Sequence, residues 1–126
     1  MAEPMSEKGL EVRKAVLGAE YVENAIAAAD DFSMPLQEIS TNYCWGWLWT
    51  REDLPRKTRS MLNLAMLTAL NRPHEIEMHL KGALRNGCSR EEIREVFLQA
   101  AIYCGLPAAV DSFRVARKVF EEWDGE

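Results

Sequence analysis

A chain of 126 residues, 48% of them hydrophobic, is long enough to bury a core without disulfide or metal staples and too apolar for intrinsic disorder. Its formal net charge of −5 excludes a general nucleic-acid binder, although the local cluster Arg56, Lys57 and Arg59 remains compatible with a small anion. With no run of about 18 apolar residues, nothing is expected to span a bilayer.

Taken in chain order, residues 1–7 read as a frayed start. The first dozen residues are charged and lack an apolar stretch, so no secretory signal is visible and the cytoplasm is the expected compartment. Leu10, Val12, Val16 and Leu17 predict a short helix over 8–17, stopped by Gly18. Tyr21, Val22, Ala25, Ile26 and Ala29 share a stripe over 20–29. Pro35 opens a third helix to residue 49, whose apolar periodicity is carried by Leu36, Ile39, Tyr43 and Trp47. Residues 50–53 form a polar loop before Pro55, a favoured first-turn residue. The helix over 55–70 is nearly apolar beyond its first turn, with Met61, Leu62, Leu64, Ala65, Met66, Leu67, Ala69 and Leu70. A helix apolar around most of its circumference is buried on most sides, so this one belongs at the centre of a bundle or in a subunit interface.

Pro73 starts the next helix and Gly87 ends it as a C′ residue. Ser89-Arg90-Glu91-Glu92 is a capping box, followed by an inner stripe of Ile93, Val96, Phe97, Ala100 and Ala101. Gly105 and Pro107 punctuate that helix, and a last one runs to about residue 123. No strand emerges. The expected fold is all-α, a single-domain helical bundle of about six helices over residues 1–126.

Chemistry concentrates on the helix after Pro73. Arg72, Glu75 and His79, three and four residues apart, put a cation, a carboxylate and an imidazole on one helical face. Plainer roles compete with catalytic ones. Glu75 and His79 could be an ordinary i,i+4 pair worth ~0.2–0.5 kcal/mol. Arg59 could serve a structural salt bridge, and Trp45, Trp47 and Trp49 could fill a core or an interface. Trp49 and Tyr103 are carried as candidate lining residues of a ligand cavity. Cys44, Cys88 and Cys104 form no CxxC, which suggests idle thiols rather than a redox pair or zinc ribbon. His74 and His79 are the only histidines and show no HExxH spacing, so no metal site is expected.

In the segments EVRKAVLGAEYV, YCWGWLWTREDLPRKTRSMLNLAML, ALNRPHEIEMHLKGALRNG, SREEIREVFLQAAIYCGLPAA and DSFRVARKVF, the chain resembles the carboxymuconolactone decarboxylase family over nearly its full length. That family lies within the alkyl hydroperoxidase D-like superfamily, whose redox motif is CxxC and then, after three more residues, a histidine. Aligning that histidine on His79 puts Arg72 and Glu75 at the cysteine positions. A thiol peroxidase needs a thiolate and a resolving partner, so peroxidase chemistry is not carried over. One departure stands out: where WGE is expected, this chain reads Trp45-Gly46-Trp47.

The resemblance implies cofactor-free decarboxylation of γ-carboxymuconolactone to β-ketoadipate enol-lactone, in the protocatechuate branch of aromatic catabolism. It implies a small dicarboxylate lactone as the partner, with no nucleic acid and no membrane, and a homo-oligomer, a hexamer favoured. The departing carboxylate sits on a carbon allylic to a double bond conjugated with the lactone carbonyl, so the substrate is its own electron sink. Arg72 and Arg59 would bind carboxylate. His79 would stabilise the dienolate or deliver the proton, and Glu75 would orient and charge that imidazole. The alternative is a superfamily member with another substrate, or a non-enzymatic oligomer.

Overall fold

The computed structural model describes residues 4–123, and every regular element among them is helical. In order these are α1 (Glu7–Leu17), α2 (Ala19–Ala27), α3 (Met34–Ile39), a π-helical segment (Ser40–Leu48), α4 (Arg56–Ala69), α5 (Pro73–Arg85), α6 (Arg90–Cys104) and α7 (Leu106–Glu122). The count is therefore seven α-helices and one π segment, where the periodicity predicts about six helices. The described residues fall into two compact units that meet in sequence at Pro55.

The first unit holds α1 to the π segment. Of the frayed start expected over 1–7, residues 1–3 lie outside the described residues. The rest is ordered by capping: the Ser6 hydroxyl accepts the Gly9 amide at 2.9 Å, and α1 begins at Glu7. α1 packs on the π segment at very close range. A Cβ at Gly9 would run into the Thr41 carbonyl oxygen and stand 3.0 Å from Gly46 Cα, so glycine is what lets the two backbones meet. Val12, Val16, Leu17, Val22, Trp45 and Trp49 are buried in this unit, with Trp45 and Trp49 stacked at 4.8 Å and 27°.

The third predicted helix is corrected in two ways. After Ile39 it widens into i→i+5 hydrogen bonding, ending with the Trp49 amide on the Cys44 carbonyl at 3.0 Å. Its buried positions are Thr41, Trp45 and Trp49, whereas Leu36, Ile39, Tyr43 and Trp47 are exposed. The segment is apolar on both sides, so periodicity admits either face; the glycine contact with α1 selects one.

The second unit packs α4 against α5 and α6, with a lesser contact to α7. Its core is Leu64, Ile76, Leu80, Ala83, Cys88, Ile93, Phe97, Ala116 and Val119. The predicted α6 stripe is buried at Ile93, Phe97, Ala100 and Ala101, and both hydrogen bonds of the Ser89–Glu92 capping box are made. Between α4 and α5, Asn71 adopts a positive φ of 60°, a conformation asparagine tolerates better than most residues.

Within this unit α4 is enclosed on one face rather than on most sides, so of the two expected settings it does not occupy the centre of a single-chain bundle. Only Ser60, Leu64 and Thr68, one stripe at four-residue spacing, are fully enclosed, while Leu62, Met66 and Leu70 are exposed. Met61 and Leu67, beside that stripe, are partly buried against the same core. Its small polar members are satisfied there: Thr68 Oγ1 donates to the Leu64 carbonyl at 2.7 Å and lies 2.7 Å from Ser112 Oγ of α7.

Candidate functional site

α5 starts abruptly because Arg72 occupies its N-cap and Pro73 its first turn, where a missing N–H is harmless. Its inner stripe of Ile76, Leu80 and Ala83 is locked into the core, which fixes the helix's rotation. Glu75 and His79 are each one residue before a core position and therefore border the core on the same side. Arg72 is exposed, Glu75 is half-buried, and His79 Nδ1 is fully enclosed. Burial pushes the His79 imidazole below its ordinary value, and the Glu75 carboxylate pulls it partly back. At neutral pH the ring is therefore neutral: a hydrogen-bond donor through one nitrogen and an acceptor through the other.

The same flank of α5 continues to Asn86, whose Nδ2 donates to Ser60 Oγ of α4 at 2.9 Å. This bond sets the start of α4 beside the end of α5. Asn86 is two turns beyond His79, ~10.5 Å along the axis. Arg59, next to Ser60, is half-buried with its Nε fully enclosed. In the second unit, then, Glu75 and His79 share one flank of α5, Arg72 stands exposed at the N-cap of that helix, and Arg59 lies on α4, which packs against α5. Tyr103 does not share this enclosure: it is 80% exposed near the end of α6, beside the equally exposed Ile102. Trp49 belongs to the first unit, where its stacking on Trp45 makes it part of that unit's core. Trp47, at the position where WGE is expected, is exposed, with the Arg51 guanidinium 5.3 Å from its ring centre.

The thiols are in poor settings for redox work. Burial raises both Cys44 and Cys88 above the ordinary thiol range, away from the thiolate a peroxidase needs. Cys88 sits under α4 with its Sγ 3.6 Å from the Lys57 carbonyl oxygen, and Cys104 is exposed.

Reading by sequence missed Arg13. It is buried in α1, with Nη1 donating to Gln37 Oε1 at 2.9 Å and to Thr41 Oγ1 at 3.2 Å. A signal was present, since Gly9, Val12, Arg13 and Val16 follow the i, i+3, i+4, i+7 pattern of a core-facing stripe.

Residues 35–118 match the model of the carboxymuconolactone decarboxylase family. The chain belongs to that family. The match runs through Pro55, so both compact units carry the family's sequence pattern. Two relatives align over most of this chain. The nitrosuccinic acid decarboxylase npaB of Metarhizium robertsii is 42% identical over 116 residues, covering 92% of this chain and 81% of its own. The 4-carboxymuconolactone decarboxylase of Acinetobacter baylyi is 38% identical over 115 residues, covering 91% and 86%. Family membership thus supports decarboxylase activity, on an all-α scaffold whose described residues include no helix long and apolar enough to cross a membrane.

Proposed function

We propose that this chain is a cofactor-free carboxy-lyase acting on a small dicarboxylate that carries its own electron sink, with γ-carboxymuconolactone the first candidate and β-ketoadipate enol-lactone its product. The observation that carries this reading is the half-buried His79 imidazole, its Nδ1 fully enclosed, one turn after Glu75, with Arg72 and Glu75 standing where the peroxidases of the wider superfamily would hold a thiol pair. In the reaction, the carbon–carboxylate bond breaks and its electron pair moves through the conjugated double bond onto the lactone carbonyl oxygen. Carbon dioxide leaves, and the dienolate takes a proton at carbon on the far side of the ring. His79 donates a hydrogen bond to the developing oxyanion, a role a neutral imidazole performs without a prior ionisation. Glu75 steadies the ring and favours any positive charge it acquires. Arg72, at the N-terminus of α5, holds the carboxylate that stays, helped by the positive end of that helix. Arg59 is its partner on α4.

A second substrate is favoured by the higher identity to a nitrosuccinic acid decarboxylase. As its name states, that acid has two carboxyl groups and a nitrogen–oxygen substituent. The electrons left by carbon dioxide would flow into that substituent instead of a lactone carbonyl. Both candidates share one design: a carboxylate to lose, a carboxylate to hold and a built-in sink. The chain is proposed to work as a cytoplasmic homo-oligomer, a hexamer favoured, with copies covering Leu62, Met66 and Leu70 of α4.

The deciding experiment incubates purified protein with each acid in turn and follows carbon dioxide release, together with enol-lactone formation for the first. Turnover of γ-carboxymuconolactone supports the first reading, and turnover of nitrosuccinic acid alone transfers the assignment to the second. No carbon dioxide from either overturns both. Light scattering that finds a monomer at micromolar concentration removes the oligomer.

A further inference from the structure

We propose that Arg13 anchors a carboxylate-binding site within the first unit, with Gln37 and Thr41 fixing its guanidinium so that the Nε–Nη2 edge takes a small carboxylate anion. Arg13 is only 6% exposed, and among the described residues no carboxylate pairs with it. Its two hydrogen bonds both leave from Nη1 and go to neutral acceptors, the Gln37 amide oxygen and the Thr41 hydroxyl. Its Nε is buried with no hydrogen-bond partner.

The pattern is specific. A guanidinium has two edges on which parallel N–H groups match a carboxylate, and the Nε–Nη2 edge is one of them. Here Nη1 is fully committed, which both orients the group and leaves that edge for a ligand. A buried charge without a counter-charge is strongly unfavourable, and arginine cannot escape by losing its proton. The neighbouring thiol does not serve as the counter-charge, because burial keeps Cys44 protonated. Thr41, with no exposed surface, and the glycine contact between α1 and the π segment hold the acceptor side rigid. An anion supplied from outside the unit completes the site.

This inference does not require decarboxylation, and a binding measurement tests it separately from turnover. The full-length protein is titrated with succinate at constant ionic strength, by calorimetry and by tryptophan emission. Uncharged succinamide serves as the control, and R13Q, R13K and R13M are compared. The reference chain, native at Arg13, and every variant also carry Arg59→Ala and Arg72→Ala, so that the arginines proposed for substrate do not take the succinate. Succinate should bind the reference chain and raise its melting temperature, and succinamide should do neither. R13Q should weaken succinate by about 10²-fold, and R13K, which keeps the charge and loses the fork, should weaken it less. R13M should melt higher than the reference chain without ligand, because the uncompensated charge is gone, and succinate should no longer shift it. The proposal is overturned if succinate does not bind the reference chain. It is also overturned if folded R13Q or R13K binds succinate as tightly as the reference chain, or if R13M melts lower and still responds to succinate. A change in particle size across the Arg13 variants, with no succinate binding, would assign Arg13 to an acidic side chain of a second copy and likewise overturn it.

Discussion

His79 and Arg13 are both cationic side chains withdrawn from water, one in each unit, and they meet that withdrawal in opposite ways. The imidazole sheds its proton: burial lowers its pKa below the ordinary value, and a neutral ring sits at the edge of the α5 core with little penalty. The guanidinium has no such exit. Burial lowers its pKa too, but from so high a starting point that it stays charged, held by two neutral acceptors. A buried group able to neutralise is ready to exchange a hydrogen bond or a proton with a substrate. One that cannot is ready only to receive an anion. The same physical pressure therefore separates a group suited to chemistry from a group suited to binding.

The comparison can be broken most decisively at His79. His79→Ala should lower kcat by about 10²-fold or more with helicity and assembly intact, measured by carbon dioxide release. Near-full turnover would show that another residue stabilises the dienolate or delivers its proton, with Tyr43 or Tyr103 next to be tested. Glu75→Gln should cause a smaller loss, about 10-fold. Without the carboxylate the imidazole falls further, so the acid limb of the rate profile should shift to lower pH; an unmoved limb would detach Glu75 from His79.

Stability against pH separates the two groups directly. His79 has a folded pKa below its unfolded one, so its contribution is fully present above the unfolded value near 6.5. It is lost as pH falls from there through the folded value, with a slope of up to about 1.4 kcal/mol per pH unit. Denaturant midpoints between pH 7.5 and 5 should show this slope in the native chain and not in His79→Gln. Arg13 should add none. Thr41→Val should destabilise the fold by about 1 kcal/mol, because it removes a neutral acceptor from a buried charge. The smallest effect is expected from the thiols: replacing Cys44, Cys88 and Cys104 together by Ala or Ser should leave the rate within a few-fold, with no peroxide turnover before or after. A still-folded variant that loses activity would show that one thiol takes part.

Helix ends were legible because they are local. Gly18, Pro73, Gly87, Ser89 and Gly105 each carry a capping or backbone preference that neighbours do not override, and the structure uses all five. The shared flank of Glu75 and His79 follows from their four-residue spacing inside α5, whereas Arg72, at the N-cap, lies outside that helical register. What escaped depends on partners far along the chain. Whether Trp45 or Trp47 points inward is decided by Gly9, more than thirty residues away. The i→i+5 register of Ser40–Leu48 has no compositional signature. Arg13 stands on the core-facing stripe of α1, but an arginine ordinarily faces water, and the acceptors that permit its burial, Gln37 and Thr41, lie far along the chain.

The hydrogen bond from Asn86 to Ser60 also bears on how the molecule ages. Asn86 precedes Gly87, and an asparagine followed by glycine is prone to deamidation, because the next backbone nitrogen can attack the side-chain carbonyl unobstructed. In the folded chain both participants are occupied. The Gly87 amide donates to the Leu84 carbonyl at 3.1 Å, and the amide nitrogen that would depart is tied to Ser60 at 2.9 Å. Folding therefore acts as a chemical preservative at this site, and the spontaneous conversion of Asn86 to an acid reports how often α4 and α5 come apart.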